Sequence, residues 1–97
     1  TPLLWAAEKG CEAIVRLLLD KGVDIDVNDR RTGRTPLLLT AKNGHVDVVK
    51  LLLSKGAEAW LNERSSLETP LSYAAGGGHE VVVQLLLDAG ASTQSKN

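Results

Sequence analysis

Very little in this chain can be cross-linked, threaded through a bilayer or wrapped around a polyanion. Its 97 residues include one cysteine, Cys11; a single thiol excludes an internal disulfide framework and fits a reducing, intracellular compartment, cytoplasmic or nuclear. Apolar runs such as Leu17–Leu19 and Leu37–Leu39 fall far short of the roughly 20 residues that span a bilayer, so no membrane role is expected. The opening residues, Thr1-Pro2-Leu3-Leu4-Trp5, carry no positive start and no signal-peptide pattern. There is no basic excess either: 11 Lys and Arg face 12 Asp and Glu, for a formal net charge of −1. A phosphate-neutralising surface makes a domain clearly basic, so nucleic acid is not an expected partner. What is present is a folded composition, 43% hydrophobic and 24% charged. One small domain of this length buries only about 60–65% of its unfolded surface, which leaves little room for a large private core.

Proline is scarce, and its placement is informative. All three prolines follow a threonine and precede a leucine: Thr1-Pro2-Leu3, Thr35-Pro36-Leu37 and Thr69-Pro70-Leu71, spaced 34 residues apart. The register holds through the unit, aligning Ala7 with Ala41 and Ala75, and Gly10 with Gly44 and Gly78. Val15, Val49 and Val83 also align, as do the leucine triplets beginning at Leu17, Leu51 and Leu85, and Gly22, Gly56 and Gly90. Internal repetition of this period marks a repeat architecture.

Each shared position has a physical reading. Thr is a favourable N-cap and Pro suits the first helical position, where its missing N–H costs nothing. A short helix is expected from Pro2 to about Lys9, ended by Gly10 in a left-handed conformation. A second helix, about Glu12 to Lys21, presents Ile14, Val15, Leu17, Leu18 and Leu19 as a broad apolar face and ends at Gly22. Residues 23–34 read as a polar, turn-like linker with Gly33 near the return. Helices this short are marginal alone in water, and the nearest cover for their apolar faces is the matching face of the next repeat. Stacking into an elongated solenoid is the expected outcome.

The pattern T-P-L-x-x-A-A-x-x-G-H-x-x-V-V-x-L-L-L-x-x-G-A resembles the ankyrin repeat and covers essentially the whole chain. The resemblance implies a mainly α fold: an ankyrin-repeat solenoid of stacked helix-turn-helix units with hairpin-like linkers, one domain over residues 1–97. Repeat 1 is then 1–34, repeat 2 is 35–68, and repeat 3 is 69–97, truncated. It further implies antiparallel helix pairs joined by an outward hairpin or loop, and partners bound on the hairpin tips and the inner helix face. Several positions depart from the family. Each linker carries one residue beyond the usual unit, near Arg31-Thr32. Leu4, Leu38 and Ser72 replace the family's frequent His after T-P-L, and Thr40 replaces the first Ala of the pair. Leu67 stands where repeat 1 has Gly33, so the second linker is expected to be reshaped. Starting at a capping Thr and stopping inside a linker, without polar capping repeats, the sequence reads as an excerpt of a longer array whose uncapped ends could self-associate.

Three features are candidates for chemistry. Cys11, His45 and His79 occupy one repeat column, and all three residue types bind zinc. Stacked helices lie roughly 8–10 Å apart whereas zinc ligands sit about 2.0–2.3 Å from the ion, so the column cannot close on one metal. The expected role of the imidazoles is to bridge the turn between the two helices by hydrogen-bonding local backbone. Gly76-Gly77-Gly78 lacks the Lys-Ser/Thr of a phosphate loop and aligns with the frayed end of a helix. No serine lies in a G-x-S-x-G elbow, and no carboxylate pair suggests acid/base work. No catalytic residue, metal or cofactor is expected.

What remains is recognition. The variable columns place candidate partner-binding residues at Glu8 and Lys9 before Gly10, at Arg30, Arg31 and Arg34 in the first linker, and at Lys42 and Asn43 on the next helix. Arg64 and Glu68 continue the series in the second linker, together with Ser65 and Ser66. The arginines form a basic patch suited to carboxylate or phosphate groups, or they serve only solubility. Trp60 stands in a column otherwise polar (Asp26, Gln94), and is either an exposed hot spot or a ring folded onto Ala59, Leu61, Ile25 and Val27. Trp5 and Tyr73, with Leu39 between them, share a helical column and read as structural. The expected function is a non-catalytic scaffold that binds a protein partner through linker tips and inner helix face; the alternative is a spacer without its own ligand.

Overall fold

The computed structural model describes residues 2–57 and 69–94, and of residues 90–94 only the backbone. Six helices follow in order: α1 (Pro2–Lys9), α2 (Glu12–Asp20), α3 (Pro36–Asn43), α4 (Val46–Ser54), α5 (Pro70–Gly76) and α6 (Glu80–Gln94). The two described threonine caps act as the sequence suggests. Thr35 accepts at Oγ1 from the Leu38 N–H at 3.3 Å. Thr69 accepts from the Ser72 N–H at 3.1 Å while Ser72 Oγ accepts from the Thr69 N–H at 2.8 Å, a reciprocal capping box. Ser72, where the family often has His, thus caps its own helix; Leu38 at the equivalent place is buried.

The helices form two layers. In one, α1 packs on α3 and α3 on α5; in the other, α2 packs on α4 and α4 on α6, with each pair α1–α2, α3–α4 and α5–α6 in mutual contact. Leu3, Val15, Leu37, Val49, Leu52 and Leu86 belong to one buried core cluster drawn from all three repeats. Full burial of each such side chain is worth about 1.5–3 kcal/mol. Ala6, Ala7, Ala41 and Ala74 are buried where the paired helices approach closely. Thr40 shares that position and satisfies its buried hydroxyl by donating to the Leu37 carbonyl at 3.1 Å.

The histidine column corrects an expectation. His45 and His79 do not bridge the turn of their own repeat; each reaches back to the repeat before. His45 Nε2 donates to the Glu8 carbonyl at 2.9 Å, and His79 Nε2 to the Lys42 carbonyl at 3.2 Å. A carbonyl can only accept, so the proton sits on Nε2 in both rings. Asn43 Nδ2 also donates to Glu8 O, at 3.2 Å. Each ring lies on a glycine of the previous unit: a Cβ on Gly10 would stand 2.6 Å from His45 Nδ1, and one on Gly44 the same distance from His79 Nδ1. These glycines also take positive φ, +73° and +72°, so the helix end and the repeat junction share one residue.

Two further expectations change. Three repeats give extents of 33 × 27 × 26 Å and a radius of gyration of 12.1 Å, close to the value of about 12–13 Å for a compact chain of this length. A stack this short is therefore barely longer than it is wide. In the second layer, α6 runs past Gly90 to Gln94, whereas the aligned Gly22 and Gly56 end their helices with φ of +89° and +94°. Val23 N–H and Ala57 N–H turn back there onto the carbonyls of Leu18 and Leu52. The residues after Gly90, Ala91-Ser92-Thr93-Gln94, supply no proline, and a helical glycine costs only about 1 kcal/mol.

Candidate functional site

On an α-helix each residue advances about 100°. Leu3, Ala6 and Ala7 therefore share one side of α1, which they bury, while Trp5, Glu8 and Lys9 project from the other. Trp5 is 54% exposed. Its ring borders a cleft of about 310 Å³ lined by Leu4, Trp5, Glu8, Asp29, Arg34 and Leu39. A second cavity of about 500 Å³ shares Leu4 and Asp29 with the first and adds Val27, Asn28 and Arg30. Both lie between α1 and the first linker. Further along the stack, Lys42 Nζ lies 5.5 Å above the centre of the Tyr73 ring, a cation–π contact between repeats 2 and 3.

The linker that forms the other wall is a tight loop, without a strand among the described residues. The Asp29 N–H donates to the Arg34 carbonyl at 3.0 Å, and the Gly33 N–H to the Asp29 carbonyl at 2.7 Å. Asp29 Oδ1 accepts from the N–H groups of Arg31 at 2.7 Å and Thr32 at 3.4 Å. Gly33 holds φ at +80°, which the closing turn requires. The Arg31 N–H holds the Asp29 carboxyl below the usual aspartate range against the opposing effect of burial, with smaller help from the Thr32 N–H and the charges of Arg31 and Arg34. Consequently Arg30 and Arg31 stand exposed at the tip on a pinned backbone, and Arg34 returns half-buried to line the first cleft.

The predicted residues divide accordingly. Glu8 and Arg34 line the same cleft and Arg30 the adjoining cavity. Arg31 is exposed beside them, as are Lys9 and Lys42 on the helices. Asn43 is exposed too, but its amide ties repeat 2 to repeat 1. Trp60, Arg64 and Glu68 lie outside the described residues. Trp5, read from its column as structural, is exposed and borders the first cleft. The signal was in the sequence, because helical spacing sets residue 5 opposite Leu3, between Glu8 and Lys9. Leu39 and Tyr73, its column mates, are half-buried.

A family model described as ankyrin repeats (3 copies) matches residues 3–97. The chain belongs to the ankyrin repeat family. Ankyrin repeats are non-catalytic protein–protein interaction scaffolds, and among the described residues no group of three His, Cys, Asp or Glu is placed to hold a metal ion. No curated protein matches the chain. Among the described residues, no helix of this ankyrin stack is long and apolar enough to cross a membrane.

Proposed function

We propose that this ankyrin stack holds a protein partner on the outward side of α1, α3 and α5 and on the tip of the first linker. The observation that carries the reading is Trp5, a large apolar side chain left exposed on the side of α1 that stacking does not use. Aromatic rings of this kind dominate interface energies, and charged residues around them set orientation. Glu8, Lys9, Lys42 and Asn43 are exposed on α1 and α3, and Arg30, Arg31 and Arg34 stand along the linker. Trp60, Arg64 and Glu68 join the proposal by their place in the second linker of the sequence. The free thiol of half-buried Cys11 fits an intracellular setting, cytoplasmic or nuclear.

The competing reading, a spacer without a ligand, is separated by partner capture from cell extract. Binding should fall with Trp5→Ala and with the paired change Arg30→Glu, Arg31→Glu, and persist with Lys50→Glu on the opposite layer. Identical capture by all four proteins would support the spacer.

A second reading concerns the ends of the stack. Ile14 is 41% and Leu17 58% exposed, while Val48 and Leu51, their equivalents one repeat on, are 1% and 5% exposed. At the opposite end Ala75 and Leu87 are exposed. A second copy could lay one face on the other, a head-to-tail contact that leaves both outer faces open for further copies. Light scattering should then give a mass rising with concentration in the parent and constant in Leu17→Glu; a constant monomer mass in both contradicts it.

A further inference from the structure

Asn43 is the one asparagine of the chain that precedes a glycine. Asparagine is thermolabile, most of all in this pairing, because glycine puts no side chain in the way when its backbone nitrogen attacks the amide. The same place in the other repeats holds Lys9 and Gly77, so repeat 2 alone carries the pair among the aligned positions. Asn43 is exposed, so water reaches it.

Three features of the fold oppose the reaction. Asn43 is the last residue of α3, and a helical ψ of about −42° is not the backbone angle at which the five-membered ring closes. The Gly44 N–H, whose proton must leave before the nitrogen attacks, donates to the Ala41 carbonyl at 3.3 Å. The amide itself is held, since Asn43 Nδ2 donates to the Glu8 carbonyl at 3.2 Å and His45 Nε2 donates to the same oxygen at 2.9 Å. The last feature belongs to the junction of repeats 1 and 2, so stacking guards the labile bond.

We propose that Asn43-Gly44 is a deamidation site gated by the junction between repeats 1 and 2. When that junction opens locally and the end of α3 frays, the Gly44 nitrogen bonds to Asn43 Cγ and the bond from Cγ to Nδ2 breaks. Nδ2 leaves as ammonia, taking up the proton given up by the Gly44 nitrogen. Water then opens the cyclic imide at either carbonyl, leaving aspartate or isoaspartate in place of Asn43. Water is the only co-reactant. The product has no side-chain N–H to donate and turns a negative charge toward the Glu8 carbonyl. It also stands at the C-terminal end of α3, where the helix dipole disfavours an anion. The tie from Asn43 is then lost for good, and the modified stack opens more easily than the parent.

Peptide mapping by mass spectrometry of the intact chain, held at mildly alkaline pH, tests this. Deamidation at Asn43 should be at least about tenfold slower in buffer than in concentrated urea, a protection that needs only about 1.4 kcal/mol of opening free energy. His45→Ala, its fold verified by circular dichroism, should deamidate faster than the parent in the same buffer. Should that variant not fold, Gly10→Ala displaces the same ring from the other side of the junction, since its Cβ would stand 2.6 Å from His45 Nδ1, and it should show the same acceleration. Asn43→Asp should have a lower urea midpoint than the parent. Equal rates in buffer and urea, a folded junction variant no faster than the parent, or an unchanged midpoint in Asn43→Asp overturns the inference.

Discussion

Gly44 answers two demands at once. Its φ of +72° lies where an L side chain is strained, and the His79 ring occupies the space a Cβ would need. Gly78 has the same φ with nothing within 4 Å of its Cβ direction. Gly78→Ala should therefore cost about 1–2 kcal/mol, the left-handed strain alone. Gly44→Ala should cost roughly 1–3 kcal/mol more, the range for overpacking a filled site. Urea denaturation of both, and of Gly44→Ala in a His79→Ala background, separates the terms: without the ring, the Gly44 cost should fall to that of Gly78. Asp29 gives a pH prediction with a definite sign. Its folded-state acidity is stronger than in the unfolded chain, so its contribution to the linker turn is complete above the unfolded value of about 3.9 and is lost as pH falls through the lower folded value. The carboxyl resonance of Asp29 followed by NMR should titrate with a midpoint below about 3.9; a midpoint at or above that contradicts the turn. Residue roles of this type are only partly legible in a sequence. The glycine column announced helix ends, and the matching histidine column announced a shared role. Nothing in a one-dimensional pattern said that the ring lands on the previous repeat, since that depends on the offset between stacked units.

At the scale of the helices, the sequence spoke most clearly where a cap and a stop bracket an apolar face. Thr-Pro at the start and glycine at the end predicted α1, glycine on either side predicted α2, and threonine side chains make the expected caps on α3 and α5. The continuation of α6 through Gly90 was not legible, because glycine permits a left-handed stop without enforcing one. Glycine also sets the end of α5. α5 ends on Gly76, and nothing lies within 4 Å of a Cβ there, with no left-handed φ to forbid it. Gly76→Ala should raise stability by up to about 1 kcal/mol. The neighbouring Gly77→Ala should not, since its Cβ would come within 2.7 Å of His79 Nε2. Thermal melts of the two variants check this; equal stabilisation would mean that the His79 ring does not occupy the junction as described.

At the scale of the molecule, the stack is stabilised by repetition of one contact, each repeat covering the apolar face of the next. The 34-residue period made the architecture readable, because so many aligned positions can share only one structural role. It could not show which copies of a column are covered, and here identical leucines have different fates. Leu51 is buried because α2 packs on α4, while Leu17, its counterpart in α2, is mostly open to solvent. The proposed binding side was less readable for a related reason: exposure of Trp5 follows from helical spacing, but the cleft beside it exists only once the linker folds back through Asp29 and Gly33. The most direct measurement of the central claim is the paired loss of stability in Leu17→Ala and Leu51→Ala by denaturant unfolding. Mutual cover predicts a cost of about 2–4 kcal/mol at Leu51, as for a buried leucine, and under about 0.5 kcal/mol at Leu17, as for a surface site; equal costs at the two positions would contradict it.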